Sequence, residues 1–228
     1  MAVATVQNIS DWITIHAEER PHQRAIVFPE GRKRDGTRLY SQLNFVQTEA
    51  LINRYARGFR AVGIQKGDRV CLFVRPSLIF MPSVFALYRA GAIVVLIDPG
   101  MGRKGLLSCV ERIAPRVMVG IPQAMLATVL FPQRFRSVEL KITVGGGTWV
   151  WGGLSILEVE SSDSSPVDSC TSLDDEASIL FTSGSTGPAK GVRYTHRIFD
   201  AQTRHIQSMY GLKAGEIDLP CFPLFGLF

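Results

Sequence analysis

Apolar and polar positions along the chain alternate in blocks that predict helices and strands in turn. From Glu49 to Val62, Leu51, Ile52, Tyr55, Ala56, Phe59 and Val62 recur at helical spacing, and Gly63 follows where a helix C-terminal cap belongs. Val70 to Val74 is a short apolar run suited to a buried strand, Ser77 to Ala90 a mostly apolar helix ending at Gly91, and Ala92 to Ile97 a second strand. A helical segment over Leu106 to Ala114 and strands at Val117 to Val119, Leu140 to Val144 and Ala177 to Phe181 continue the alternation. Such a pattern predicts an α/β architecture with a buried parallel sheet. Leu78 to Ile97 is apolar enough to raise a membrane-spanning reading, but Pro82, Arg89 and Gly91 interrupt it, and a core helix and strand fit better.

After Phe181 the apolar residues give way to Thr182, Ser183, Gly184, Ser185, Thr186 and Gly187, with Lys190 and Gly191 a few positions on. The two glycines of the loop open backbone turns closed to other residues, so that N–H groups can converge on an anion; the hydroxyls add donors and Lys190 a mobile positive charge. Val192 to Tyr194 reads as a second strand, with Thr195 placed to cap a helix beginning near Arg197. A Walker A loop would need Gly-Lys-Ser/Thr leading straight into a helix, whereas here Lys190 is followed by Gly191 and a strand, which excludes that class. A plain Ser/Thr/Gly surface hairpin is the alternative that composition alone leaves open.

Composition adds bounds. The 228 residues are 46% hydrophobic and 20% charged, ordinary globular material. The net charge of +5 is unevenly spread: residues 1–157 carry 20 Lys/Arg against 10 Asp/Glu, 158–176 none against seven, and 177–228 five against three. The basic residues are scattered, with Arg32-Lys33-Arg34 the only tight cluster, so a solvated face is expected and not a nucleic-acid site. Glu158 to Glu176 reads as an exposed connector. Met1 to Ile15 does not resemble a secretion signal, giving a cytoplasmic expectation. Cys71, Cys109, Cys170 and Cys221 show neither metal-ligand nor disulfide-framework spacing and are expected to be buried free thiols. Gly100-Met-Gly102-Arg-Lys-Gly105 formally matches a dinucleotide fingerprint, but Pro99 separates it from the strand and the next strand ends in Gly120 where an acidic residue is wanted.

Read in order, Phe181-Thr-Ser-Gly-Ser-Thr-Gly-x-x-Lys190-Gly191 resembles the phosphate-loop motif of the AMP-forming adenylating enzymes, with Pro188-Ala189 where that superfamily more often has a variable residue followed by proline. Arg38-Leu-Tyr-Ser-Gln-Leu43, Gly63-Ile-Gln-Lys-Gly-Asp-Arg-Val70 and Tyr88-Arg-Ala-Gly-Ala-Ile-Val-Val-Leu-Ile-Asp-Pro99 resemble its earlier segments, so the likeness spans about Ser10 to Phe228. It implies an N-terminal domain of helix-flanked sheets with a distorted barrel. It also implies ATP and Mg2+ as cofactors and a small-molecule carboxylic acid substrate, fatty or β-hydroxy, activated as acyl-AMP, with CoA only if the second step forms a thioester. The metal ligands and the groups that hold adenine and ribose belong to later motifs without counterpart here, so no catalytic or metal residue is assigned within the chain. On this reading residues 1–228 are a partial N-terminal AMP-binding domain, lacking the small C-terminal domain, inactive alone and prone to aggregate at the apolar run Leu219 to Phe228.

Within the superfamily, Asp98-Pro-Gly-Met-Gly102 and Phe222-Pro-Leu-Phe225-Gly226-Leu-Phe228 resemble the β-lactone synthetases of olefin biosynthesis, with Gly226 where acyl-CoA synthetases commonly have histidine. Phe222, Phe225 and Gly226 are then acyl-pocket candidates. A long-chain acyl-CoA synthetase or fatty acyl-AMP ligase is the alternative within the class, and a non-catalytic binding module the alternative outside it. His196 resembles the superfamily's Thr-His after the loop; it is expected to pack as a neutral ring at a helix start near the loop, because activation of a carboxylate has no task for a base at neutral pH.

Overall fold

The computed structural model describes residues 6–182 and 189–220, with the side chain of Thr182 left aside. In chain order it runs α1 (Asp11–Glu19), β1 (Arg24–Arg32), β2 (Arg38–Asn44), α2 (Phe45–Ala61), β3 (Arg69–Phe73), α3 (Phe80–Ala90), β4 (Ile93–Ile97), α4 (Gly102–Ile113), β5 (Val117–Gly120), α5 (Pro122–Leu130), β6 (Leu140–Thr143), β7 (Leu154–Ser155), α6 (Ile156–Val159), β8 (Glu176–Thr182), β9 (Lys190–Thr195) and α7 (His196–Tyr210). Strands β1 and β2 form an antiparallel hairpin; the others form one sheet in the order β7-β6-β5-β3-β4-β8-β9, parallel except for β9. The helix-flanked sheet is as expected, while a barrel has no counterpart among the described strands.

Period-two alternation assigns each side chain of the sheet to one of two cores. Val70, Leu72, Val94, Leu96, Val117, Val119 and Leu180 face α2 and α3, packing on Ile52, Phe59, Val84 and Leu87. Cys71, Val95, Ile97, Met118, Ile179 and Phe181 face α4 and α5, with Leu107, Val110 and Met125. Both faces are covered, so the central strands read as unbroken apolar runs.

Helix starts account for most differences from the sequence reading. Helix α2 begins four residues before the expected Glu49 because Asn44 and Gln47 close a capping box, each side chain accepting from the other's backbone N–H. Helix α4 begins at Gly102, inside the glycine run and not at Leu106, with Gly102 at φ +75° leading out of the turn after Asp98. The Gly-x-Gly-x-x-Gly stretch is therefore a helix start one short turn beyond its strand, as Pro99 suggested. Helix α3 ends at Gly91, left-handed at φ +87° as expected of a cap. Helices α1 and α5, the β1–β2 hairpin, β7 and α6 carried no signal in the apolar pattern.

Residues 160–175 form no helix or strand, and much of the segment is exposed, yet it is pinned along α2. Arg54 donates to the Ser161 carbonyl at 2.9 Å and pairs with Glu160, Arg57 pairs with Asp163 at 3.1 Å, and Arg60 donates to the Asp168 carbonyl at 2.8 Å. The basic early part and the acidic segment complement each other within the chain. Of the cysteines, Cys71 and Cys109 are buried as expected and burial raises both thiols, but Cys170 is exposed, a correction that follows from its place in this segment. Cys221 lies outside the described residues. No helix among the described residues is long and apolar enough to cross a membrane.

Candidate functional site

Parallel pairing puts the carboxyl ends of β3, β4, β5 and β8 on one edge of the sheet, the edge where α/β proteins bind ligands. Strand β8 delivers its last residue, Thr182, to that edge, and β9 returns antiparallel with Lys190 opposite Thr182 and Gly191 opposite Phe181. In sequence the hydroxyl-rich segment thus joins a buried parallel strand to the antiparallel strand β9. Ser183, Gly184, Ser185, Thr186 and Gly187 lie outside the described residues, as do Phe222, Phe225 and Gly226.

Lys190 opens β9 exposed and has no carboxylate partner among the described residues, which leaves its ammonium available to an anion. Gly191 lies close on its neighbours: a Cβ there would stand 3.0 Å from the Ile179 methyl and from the Phe181 ring, so a larger residue would oblige those two side chains to shift. The residue before Lys190 is tied down as well. Arg112 of α4 donates to the Ala189 carbonyl at 2.8 Å, a contact across 77 positions that no local pattern could have disclosed.

The other end of the hairpin is anchored by polar contacts. Lys66 pairs with Asp175 at 2.8 Å, Arg197 grips Asp174 through two bonds of 2.7 and 2.8 Å, and Arg193 pairs with Glu176. Lys66 and Arg197 hold the Asp175 and Asp174 carboxyls below the usual carboxylate range. Inside, the Tyr88 hydroxyl and Ser178 Oγ share a bond of 2.6 Å, and Asn8 donates to the Tyr88 carbonyl at 2.8 Å. Tyr88, Lys66 and Asp68 belong to the earlier segments singled out in the sequence, and the structure gives two of them the task of seating β8.

His196 is not beside the loop. It sits at the far end of β9 from Lys190, roughly 20 Å away at strand rise, with Thr195 capping α7 by accepting from the Ile198 N–H. The ring is fully buried, packs edge-on against Tyr88 at 5.7 Å, and accepts at Nδ1 from the Ile9 N–H at 3.3 Å. The expected neutral, packed role is kept; its place and cause are corrected, because burial is the main force that lowers its pKa to about 4. Between pH 4 and 6.5 the unfolded chain binds a proton at this position that the folded chain does not, so stability falls as pH drops through that window. About 2–3 kcal/mol should be lost between pH 7.5 and 4.5, and His196→Gln should abolish that share of the slope. Urea unfolding midpoints across the range check it: equal slopes in the two proteins would remove His196 from the account.

Sequence comparison places the same residues in context. The AMP-binding enzyme family model matches residues 13–225, most of the chain. The chain belongs to the AMP-binding enzyme family. It is 38% identical over 99% of its length to the olefin beta-lactone synthetase of Xanthomonas campestris and 38% identical to that of Stenotrophomonas maltophilia. A feruloyl-CoA synthase from Amycolatopsis is 26% identical. These matches cover 41%, 40% and 40% of the relatives, so the chain spans about two fifths of their length. Among solved structures, a long-chain-fatty-acid-CoA ligase of Archaeoglobus fulgidus matches 96% of the chain and 42% of its own, with a TM-score of 0.81 at 24% identity. The α/β fold is thus that of the N-terminal domain of adenylate-forming enzymes, present over part of their length.

Proposed function

We propose that the intact protein is an ATP-dependent adenylate-forming ligase that activates a fatty or β-hydroxy acid and closes it to a β-lactone in olefin biosynthesis. The observation that carries the finer reading is the 38% identity to two olefin beta-lactone synthetases across nearly the whole chain, against 26% for the CoA-forming feruloyl enzyme. The acid's carboxylate attacks the α-phosphorus of ATP and pyrophosphate departs; the β-hydroxyl then attacks the acyl carbonyl and AMP departs.

The residues at hand suit the first half of that chemistry. An exposed Lys190 with no carboxylate partner among the described residues, next in sequence to the glycine- and hydroxyl-rich segment and just after Ala189, whose carbonyl Arg112 holds, fits the β- and γ-phosphates of ATP and would stabilise charge on the departing pyrophosphate. Thr182 to Gly187 would supply the remaining donors. Among the described residues no group of acidic, His or Cys side chains could hold a metal, so no step is assigned to Mg2+.

Acid-dependent exchange of pyrophosphate into ATP by the intact protein tests the activation step. Lys190→Ala should lower exchange about 100- to 1,000-fold, the scale of one lost electrostatic contact to charge developing in the transition state. An unaffected rate would remove Lys190, and no exchange with any long-chain acid would remove the ligase reading. The likeness to a long-chain-fatty-acid-CoA ligase supports a thioester as the second reading. Product analysis separates the two: a β-lactone formed without CoA supports the first, an acyl-CoA the second.

A further inference from the structure

Lys190 owes its place to its neighbour. The carbonyl of Ala189 and the N–H of Lys190 belong to one planar peptide unit, so a group that holds that oxygen also fixes the plane from which the Lys190 Cα departs. Arg112 Nη1 donates to the oxygen at 2.8 Å. The Ala189 side chain is partly buried against the core that α4 and α5 build on the sheet. On its other side Lys190 stands opposite Thr182 in the β8–β9 ladder. The backbone that carries the ammonium is thus held from α4 as well as from β8.

Arg112 lies in the last turn of α4, exposed, and pairs with no carboxylate among the described residues. A charged guanidinium bonds a carbonyl more strongly than a neutral donor does, and its planar fork makes the contact directional. Lysine is the opposite case: its ammonium rides on a flexible four-carbon stem, so where it meets a phosphate depends on where its Cα is held. A rigid cation of one element therefore orients the main chain that presents a mobile cation of another.

We propose that Arg112 is a positioning residue for Lys190: by orienting the Ala189–Lys190 peptide it sets where the ammonium meets the triphosphate of ATP, without touching the nucleotide itself. The inference rests on the adenylation reading of Lys190. It adds to that reading a residue 77 positions away in sequence that no phosphate-loop motif contains.

The test uses the intact protein, with 3-hydroxyhexadecanoate and hexadecanoate as acids and exchange of pyrophosphate into ATP as readout. Arg112→Ala should lower the maximal rate about tenfold, the scale of one charge-assisted hydrogen bond. KM for ATP should stay near the parent's, because the charge that Lys190 meets grows as pyrophosphate departs. Arg112→Lys, which can still donate to the carbonyl, should recover most of the rate. In a Lys190→Ala background Arg112→Ala should cost nothing further, since a residue that acts through another is not additive with it. A direct contact of Arg112 with ATP, or a general loosening of the fold, would add its own loss to that of Lys190→Ala, and additive losses would overturn the proposal. Trypsin, which cuts after lysine, reads the tether without any turnover. Arg112→Ala should speed cleavage between Lys190 and Gly191 severalfold while the urea midpoint stays at the parent's, and unchanged cleavage would refute the tether whatever the protein's chemistry. Faster cleavage in a protein whose parent exchanges with neither acid would keep the tether, remove the adenylation reading and remove with it the task given to Arg112.

Discussion

Glu49→Ala should cost about 3–5 kcal/mol of folding stability, the scale for stranding a buried charge without its partner. The charge is Arg89, 2% exposed near the end of α3. Its guanidinium donates to Glu49 through two bonds of 2.6 and 3.1 Å, to Asn53 Oδ1 at 2.6 Å, to Thr14 Oγ1 at 3.0 Å and to the Ser10 carbonyl at 3.3 Å. The group thereby ties α1, α2 and α3 together. Removing Glu49 leaves the other acceptors in place but takes away the carboxylate paired with Arg89 among the described residues. Replacing both partners, Arg89→Met with Glu49→Met, should be much milder than Glu49→Ala alone, because no uncompensated charge remains. Denaturant unfolding at pH 7 of the two variants beside the parent decides it. A cost below about 1 kcal/mol for Glu49→Ala would show that water reaches the site and that the network is ornamental to stability.

Arg89 also shows what a sequence can disclose. It interrupts an apolar run, and that sufficed to argue against a membrane span and for a core helix, yet its partners sit 36 to 79 positions away and leave no local trace. The strands were legible because both faces are buried, so apolar runs at Val70, Ile93, Val117 and Ile179 mark them unambiguously. The phosphate loop was legible because its residue types are ordered and dense. The β1–β2 hairpin escaped because its strands are mostly exposed and carry no alternation to read. Helix α5 escaped because Pro122 at its first turn and its mixed exposure blur the period. Composition presents the split between the basic early part and the acidic 158–176 segment as a solvated face and an exposed connector. It is in part a set of ion pairs between Arg54, Arg57 or Lys66 and Glu160, Asp163 or Asp175. Charge counts gave the asymmetry but not its partner, because complementarity in one chain and attraction to another molecule have the same signature in composition. The displaced His196 has the same root: adjacency to the loop in sequence became separation by the full length of β9.

Gly58→Leu should cost at least as much as the loss of Glu49, for a reason no helix propensity would suggest. In an isolated helix any ordinary residue improves on glycine, by up to about 1 kcal/mol for alanine. Here Gly58 faces the carbonyl of Val159 at the end of α6, and a Cβ would stand 1.8 Å from that oxygen and 2.8 Å from its carbon. These are backbone atoms, so relief requires moving α6 and the segment behind it and not merely turning a side chain. Val159 itself is buried in the core that α2 completes, so the shift would also open apolar contacts. Overpacking of this kind costs about 1–3 kcal/mol where side chains can yield, and a blocked backbone places alanine at the top of that range and leucine beyond it. Displacing α6 should also loosen the Arg54 and Arg57 contacts to residues 160–165, so limited proteolysis should show faster cleavage there than in the parent. Gly63→Ala is the matched control: the space is open and only the left-handed φ of +94° opposes it, so a penalty of about 1–2 kcal/mol is expected with no change in cleavage. If Gly58→Ala unfolds at or above the parent's denaturant midpoint, α6 moves freely and the close approach of α2 to Val159 does not constrain the fold.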